Sequence, residues 1–213
     1  MPIRGNYLDM PLTIDDLDGE NVEYFRHCAA HDFHLQQCDD CKLLRYPPTT
    51  ACPWCTCLAS TWTRVEGKGA VYSYAEVRHG IQPAFQARVP YLILLVELDT
   101  QKGKPTEHES LRVVANLTTP DGILAPPDVV RGVGIGSRMR MVFSDVAAGL
   151  SLPQWTLDET ATQPKAPILI SVGLRPTRPA AVSSSRTARI SSQIGDASIS
   201  MITISTSPAH VQI

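Results

Sequence analysis

The sequence lacks a long apolar run, which limits how it could relate to a membrane. No stretch reaches the roughly 18 apolar residues that a membrane-spanning helix needs, and the first residues, MPIRGNYLDMPLTIDD, contain no apolar signal-peptide core. We therefore expect a cytoplasmic protein. Disulfides seldom persist in a reducing compartment. The six cysteines of this protein are therefore expected to act as metal ligands or catalytic thiols instead of forming disulfide bonds.

The sequence also lacks an excess of charge of one sign. It has 19 Lys and Arg against 21 Asp and Glu, a formal net charge of -2. A nucleic-acid-binding surface usually carries a basic stripe, yet residues 38–62 contain only two cations, Lys42 and Arg45, beside Asp39 and Asp40. This balance argues against nucleic acid as a partner.

Short catalytic motifs are missing as well. The sequence has no G-x-S-x-G, no H-E-x-x-H and no phosphate-binding loop, and GVGIG at 132–136 precedes a predicted strand instead of a helix. His79, near Arg78 and Arg88, could serve acid/base or anion-binding chemistry, but an isolated histidine at a strand end is more often a solvated or capping residue. We therefore predict no catalytic residue, and whether the chain has activity of its own stays open.

What the sequence does contain is CDDCKLLRYPPTTACPWC at 38–55, two Cys-x-x-Cys pairs ten residues apart. One pair alone could be a redox dithiol, but four thiolates can enclose one ion at about 2.3 Å in a closed tetrahedral site. The gap is shorter than the roughly 15 to 20 residues of the usual two-pair pattern, so a metal-free knuckle is the alternative. We predict a zinc ribbon whose structural zinc is held by Cys38, Cys41, Cys52 and Cys55.

The segment before the ribbon predicts a helix over residues 18–34, with Asp18 as the N-cap. Cys28 falls on its apolar side and is expected in the core, while Cys57 is at most an alternative metal ligand. Three histidines spaced three and four apart could share a helix face, and a solvated or partner-facing strip is preferred over a metal site. These are His27, His31 and His34.

Strand patterns dominate residues 69–146. GAVYSYAEVRH alternates, PYLILLVELD is continuously apolar, SLRVVANLT alternates again and GSRMRMVFSDV follows. Because the connecting loops are rich in Gly and Pro and contain no helix-length periodicity, we predict a closed five-stranded antiparallel barrel. The chain is thus expected to be mainly β, with an N-terminal helical segment at 1–35, the zinc ribbon at 36–62 and the barrel at 63–150.

The C-terminal part has a different composition. From about residue 160 the sequence is rich in Ser, Thr, Pro and Ile and has no aromatic residue to anchor a core. We predict that residues 151–213 form a disordered or non-native tail.

Taken in order, several segments resemble the zinc-ribbon OB-fold family of acyl-CoA-associated proteins, a family first defined as a domain of unknown function. The resemblance covers residues 20–146 and is carried by YFRHCAAHDFHLQQCDDC, YPPTTACPWC, GKGAVYSYAEVRH, PYLILLVELD and IGSRMRMVF. It implies a rubredoxin-like zinc ribbon followed by an OB-fold barrel. The four ribbon cysteines correspond directly to the family's metal ligands.

The same resemblance implies a function. Members of this family are mostly non-catalytic accessory subunits of acyl-CoA-processing complexes, with acyl-CoA as the ligand or substrate of the complex. We expect a hetero-oligomer with a thiolase-like aldolase or acyltransferase of lipid or steroid side-chain metabolism, in which this chain helps form the acyl-CoA channel. The alternatives are a hot-dog-fold enoyl-CoA hydratase partner, or an independent OB-fold module that binds a ligand or nucleic acid.

Candidate interface residues follow from this expectation. Aromatic side chains of the helical segment and the ribbon are predicted to face a partner, and two residues of the QPAFQARVPY loop are predicted to face a partner or CoA. For nucleic acid, Tyr72 and Tyr74 would offer only a small stacking surface on one strand face. The predicted partner-facing or CoA-facing residues are Phe25, Phe33, Tyr46, Trp54, Phe85 and Arg88.

Overall fold

The computed structural model describes residues 1–17, 19–106 and 108–164. It begins with a hairpin of β1 (Ile3–Tyr7) and β2 (Met10–Ile14), joined by two residues with positive φ. Alternate side chains of β2 are buried, and Gly5 in β1 lies close to strand residues of the barrel. This hairpin is not predicted from the sequence, because each strand offers only five residues of alternation.

Helix α1 (Gly19–Ala29) follows the hairpin and is shorter than predicted. Its buried face packs against the rest of the core. The helix ends because His31 has a φ of 54°, in the left-handed region, and His34 already belongs to the next strand. The predicted end at residue 34 is therefore wrong, and the predicted cap Asp18 lies outside the described residues.

The ribbon is a three-stranded antiparallel sheet in the order β4-β3-β5. Its strands are β3 (His34–Cys38), β4 (Leu44–Arg45) and β5 (Ser60–Arg64). The chain between β4 and β5 contains the second Cys-x-x-Cys pair. Short strands and long connections leave this region with little regular backbone pairing.

The larger sheet has five antiparallel strands in the order β10-β9-β6-β7-β8. A parallel bridge from Leu117, after β8, to Trp155 in β10 joins the two edges and closes the barrel. This order and closure are those of a five-stranded OB-type barrel, which confirms the predicted fold class. The strands are β6 (Lys68–Val77), β7 (Tyr91–Leu98), β8 (Arg112–Asn116), β9 (Arg138–Ala147) and β10 (Leu150–Leu157).

The barrel interior is apolar because inward-facing residues alternate along its strands. In β7 every second side chain is buried, although the sequence of that strand is almost continuously apolar. Gly69 in β6 allows close strand pairing, since a Cβ there would collide with the backbone oxygen of Glu97. Two short helices lie in the connections, α2 (Pro83–Gln86) and α3 (Pro127–Val130).

The last strand corrects the predicted boundary of the barrel. The predicted tail begins at residue 151, but Leu150–Leu157 is the fifth strand and its Trp155 is fully buried. Pro153 interrupts the hydrophobic pattern there, which hid the strand. Beyond it, the Gln163 side chain still hydrogen-bonds to the backbone of Arg138, at 2.8 and 3.1 Å. The rest of the predicted tail, 165–213, lies outside the described residues.

Candidate metal centre and surrounding surfaces

The two Cys-x-x-Cys pairs form two turns of the same shape. In the first, the Lys42 N–H donates to the carbonyl of Cys38 at 3.1 Å, and in the second the Thr56 N–H donates to the carbonyl of Cys52 at 2.9 Å. Lys42 and Thr56 both have a φ of 61°. Each turn therefore bends its backbone back around a cysteine pair, so that all four sulfurs point to one place.

The four sulfur atoms lie within 4.8 Å of one another. Cys38 Sγ is 3.4 Å from Cys55 Sγ, and Cys41 Sγ is 3.6 Å from Cys52 Sγ. Four thiolates at about 2.3 Å from a zinc ion in a tetrahedron would lie about 3.8 Å apart. The set of donors, their number and their spacing therefore fit a zinc ion.

The electrostatics of the cluster also favour a bound cation. Burial opposes ionisation of Cys38, but backbone N–H groups of Cys41 and its neighbour outweigh burial and lower the pKa of Cys38 to about 6. The Cys52 pKa is lowered in the same way by the turn around Cys55. At Cys41 and Cys55 a backbone N–H favours each thiolate, yet burial and the neighbouring sulfurs raise the pKa, to about 12 for Cys55. Four thiolates this close need a cation between them.

A zinc ion here would have all four coordination positions taken by protein. Such a closed site stabilises folding and leaves no position for water or substrate.

The remaining two cysteines stand apart from the cluster. Cys28 is fully buried in the core, as predicted, and burial raises its pKa to about 12. Cys57 contacts the carbonyl of Ala59 at 3.7 Å and is not a member of the four-sulfur group.

The three histidines do not share a helix face, which corrects that interpretation. His27 is in α1 and stacks on His34 of β3, with ring centroids 4.0 Å apart. His31 lies beyond the helix end, where its Nε2 is 2.7 Å from Asp145 Oδ1 and its ring stacks on Phe143. Burial and the neighbouring His34 lower the pKa of His27. The rings thus join the helix and ribbon to the barrel.

Two of the residues predicted to face a partner are buried instead. Phe25 and Phe33 are only 6% and 4% exposed, and both pack around Tyr24 in an aromatic cluster that also includes Tyr46. The rings come from α1, from the residue before β3 and from the residue after β4, so the cluster joins the helix to the ribbon. Their predicted interface role is therefore corrected: these rings hold the helix on the rest of the chain.

Exposed apolar side chains lie elsewhere. On the ribbon, Trp54 and Leu58 are 39% and 71% exposed. In the loop between β6 and β7, Ile81 is 78% exposed, Arg88 is exposed and Phe85 is half-buried against Tyr91, at 4.9 Å between ring centroids. Of the predicted surface residues, Trp54, Phe85 and Arg88 therefore have at least part of their side chains accessible.

One polar feature escaped the sequence analysis. Arg45 follows two leucines and looked like an ordinary ribbon cation, but it is only 3% exposed. Its Nε donates to Gln36 Oε1 at 3.0 Å, and Gln36 is also buried. No pattern in the sequence predicts this burial, since Leu44 and Arg45 are both buried in the two-residue strand β4. Across the residues that the structure describes, every helix is too short or too polar to span a membrane.

Comparison with known proteins connects this architecture to a family. Residues 62–144 match the family model described as the C-terminal OB-fold domain of ChsH2. A curated relative, the probable enoyl-CoA hydratase alpha subunit of Thermomonospora curvata, is 36% identical over 111 residues, which are 50% of this chain and 31% of the relative. This chain therefore spans less than a third of that relative.

A solved structure resembles this chain over more of its length. The Ltp2-ChsH2(DUF35) aldolase matches with a TM-score of 0.52 and 29% sequence identity. The match covers 67% of this chain and 98% of the matched chain. Almost the whole of that chain thus has a counterpart here.

Proposed function

Because its OB-fold domain belongs to the ChsH2 (DUF35) family, we propose that this chain is a non-catalytic accessory subunit of an acyl-CoA-processing complex. It pairs with a thiolase-like aldolase or acyltransferase, of the kind that acts on lipids or steroid side chains, and helps form the acyl-CoA channel. The observation that carries the proposal is the likeness to the Ltp2-ChsH2(DUF35) aldolase, whose matched chain is covered over 98% of its length.

The chemistry of the metal centre supports an accessory role. In the described part of the chain, the group of side chains that could hold a metal ion is formed by the four ribbon cysteines. We assign to them a structural zinc ion, which with four thiolate ligands has no open position for a substrate. A reducing cytoplasm would keep these thiols available for the metal. The partner then supplies the nucleophile or acid/base groups of the reaction.

The ribbon offers a surface for the partner. Trp54 and Leu58, together with the exposed Pro53, form what we call the ribbon tip. Exposed apolar side chains that lie close together often mark protein interfaces, and tryptophan is enriched where binding energy concentrates. We assign the ribbon tip to docking of the thiolase-like subunit.

The loop between β6 and β7 offers a surface for the substrate. In OB-type barrels the loop between the first two strands commonly contacts ligands. Here that loop carries Phe85, packed on Tyr7 and Tyr91 at 6.3 and 4.9 Å between centroids, and the exposed cation Arg88. We propose that Phe85 and Arg88 contribute to the wall of the acyl-CoA channel.

A hydratase partner is the second candidate. It is favoured by the name of the curated relative, a probable enoyl-CoA hydratase alpha subunit that is 36% identical over its matched part. Since this chain spans only 31% of that relative, the hydratase activity of the relative can reside in the part that has no counterpart here.

An independent nucleic-acid-binding module is less well supported. A β-bulge at Tyr72 changes the alternation of β6, so that Tyr72 is half exposed while Tyr74 packs against the core. The Tyr72 ring is also covered by Arg112, whose guanidinium carbon is 3.7 Å from the ring centroid. The two tyrosines therefore do not form a joint stacking platform.

The proposal is tested by co-expression with the thiolase-like protein encoded nearest in the source genome, followed by size-exclusion chromatography. We expect the two chains to elute together, and Leu58→Asp to separate them by placing a charge in the apolar contact. Ile123→Asp is the matched control, since Ile123 is 61% exposed but lies outside the ribbon.

A parallel co-expression with a hot-dog-fold hydratase separates the two candidate partners. Co-elution with the hydratase alone would favour the second candidate. Separate elution from both enzymes would contradict an accessory role, and disruption by Ile123→Asp with no effect of Leu58→Asp would contradict docking through the ribbon tip.

A further inference from the structure

A cleft of about 240 Å³ lies between the ribbon and the segment that leads into β8. Its lining includes two arginines, Arg45 from β4 and Arg112 from β8, as well as the ring of Trp54. We call it the arginine cleft. Its lining contains none of the four clustered cysteines and no residue of the loop between β6 and β7, but it shares Pro53 and Trp54 with the ribbon tip. The proposed function uses neither arginine.

Arg45 is a buried cation that meets only neutral acceptors. Its guanidinium donates to Gln36 Oε1 at 3.0 Å, to the carbonyl of Thr49 at 2.9 Å and to Ser60 Oγ at 3.1 Å. Its Nη1 is buried and has no hydrogen-bond partner. Within the described ranges, none of the ion pairs involves Arg45. A buried charge without a counter-ion is costly, so the site favours a bound anion.

Arg112 is held beside the same cleft by its neighbours. It donates to the carbonyl of His108 at 3.1 Å and to Glu97 Oε2 at 3.3 Å, while its guanidinium lies over Tyr72. Its Nε is buried and also has no hydrogen-bond partner. The two arginines therefore carry one unsatisfied donor each, with Glu97 compensating the charge of Arg112 alone.

One further carboxylate lines the cleft and opposes an anion. Glu109 is exposed and accepts a hydrogen bond from Thr106 Oγ1 at 2.8 Å. Because it is in contact with solvent, its charge is screened more strongly than that of the buried Arg45. The attraction of Arg45 for an anion should therefore exceed the repulsion from Glu109.

We propose that the arginine cleft binds the oxyanion group, phosphate or carboxylate, of a small molecule. Guanidinium groups pair with both oxyanions through charge-assisted hydrogen bonds, and here each arginine would contribute one such bond. The donors without a hydrogen-bond partner are Arg45 Nη1 and Arg112 Nε. Both are buried, so the anion binds them by displacing the side chains that cover them, and the exposed Trp54 supplies an apolar wall for whatever carries the anion.

The test uses the full zinc-loaded chain and two probes, inorganic phosphate and succinate, at constant ionic strength set with sodium chloride. The readout is the chemical shift of the arginine side-chain N–H signals in NMR titrations, assigned with the variants below. We expect saturable shifts of the Arg45 and Arg112 signals. Saturation by phosphate alone identifies a phosphate site and saturation by succinate alone identifies a carboxylate site.

Variants make the test specific to the cleft. Arg112→Gln should weaken binding by about tenfold or more, whereas Arg131→Gln removes an exposed cation outside the lining and should leave the affinity unchanged. Glu109→Gln should tighten binding about twofold to threefold by removing the opposing charge. Arg45→Gln should abolish binding. If the Arg45 variant does not fold, the loss of affinity in Arg112→Gln tests the proposal alone.

Two results would overturn the proposal. The first is a titration in which neither phosphate nor succinate shifts the arginine signals of the wild-type chain in a saturable way. The second is binding that Arg112→Gln and Arg131→Gln weaken to the same degree, which would mean that a general attraction to surface cations explains the shifts.

Discussion

The ribbon and the barrel are held together by different means, although they are neighbours in one chain. Between residues 36 and 62 few side chains are buried, and most of them are polar or cysteine: Gln36, Cys38, Leu44, Arg45 and Cys52. The barrel instead buries a continuous apolar cluster, with Leu92, Leu94, Val96 and Leu98 from β7 all at 1% exposure or less. Apolar burial accounts for the barrel, whereas the ribbon depends on its cysteine cluster and a buried hydrogen-bond network.

This difference shows how a short segment can keep a defined shape without a core of its own. Strands of five, two and five residues cannot bury enough apolar surface to offset the entropy of ordering the chain. A metal ion that binds only the folded ribbon would supply the missing free energy. The two regions should therefore respond separately when either the cysteines or the barrel core is changed.

The largest expected effect comes from breaking the metal centre. Cys52→Ser should lower the zinc content from about one ion per chain to almost none, because structural zinc contributes apparent binding free energies of about 10–16 kcal/mol. The ribbon signals in an amide NMR spectrum should then collapse while those of the barrel stay dispersed. Zinc is measured by elemental analysis of protein from zinc-supplemented cells.

Cys57→Ser is the matched control, since Cys57 lies outside the four-sulfur group. It should retain its zinc and an ordered ribbon. A metal-free preparation of the wild-type chain with full thermal stability would contradict this account of the ribbon.

A smaller effect is expected from a cavity in the barrel. Leu94 is fully buried in β7, so Leu94→Ala should lower the free energy of unfolding by about 2–5 kcal/mol in urea titrations. Its zinc content should stay at the wild-type value, because the cysteines are untouched.

Val114→Ala serves as the control for Leu94→Ala, since Val114 is 38% exposed and its truncation should change stability by only about 0.5 kcal/mol. If Leu94→Ala and Cys52→Ser lowered the zinc content equally, the proposed independence of the two regions would be wrong.

The smallest effect concerns a surface ion pair of the barrel. Arg138 Nη1 donates to Asp99 Oδ1 at 2.9 Å, and this hydrogen bond lowers the pKa of Asp99 below its ordinary value of 3.8. A carboxyl whose folded pKa is depressed stabilises the fold above its unfolded pKa and loses that contribution as the pH falls through the folded pKa. Asp99→Asn should therefore cost about 0.5 kcal/mol at pH 7, because the pair is partly exposed.

The pH dependence checks the sign of this prediction. The difference in unfolding free energy between wild type and Asp99→Asn should shrink as the pH falls below 3.8. A difference that grows as the pH falls would contradict the assigned role of the pair.

Patterns close together in the sequence were enough to predict part of this molecule. The cysteine spacing identified all four members of the cluster, and the apolar run at Tyr91–Leu98 identified the barrel strand β7. Both features are local, since two turns and one strand determine them. The resemblance to a known family then supplied the barrel topology.

Other features depend on contacts that no local pattern contains. Phe25 and Phe33 looked like surface aromatics, and only the packing of α1 on the ribbon shows that they are buried. Strand β10 was missed because Pro153 breaks its pattern, while its pairing with β9 and the burial of Trp155 determine its place. Arg45 was missed because a buried arginine has no signature in the sequence.

The central claim is that the reaction belongs to a complex in which this chain is the accessory subunit. The most direct measurement is turnover of an acyl-CoA substrate by this chain alone, by the co-purified thiolase-like subunit alone and by both together. The account predicts no turnover by this chain and a marked increase in the partner's rate when it is added. Turnover by this chain alone, or equal partner activity with and without it, would contradict the account.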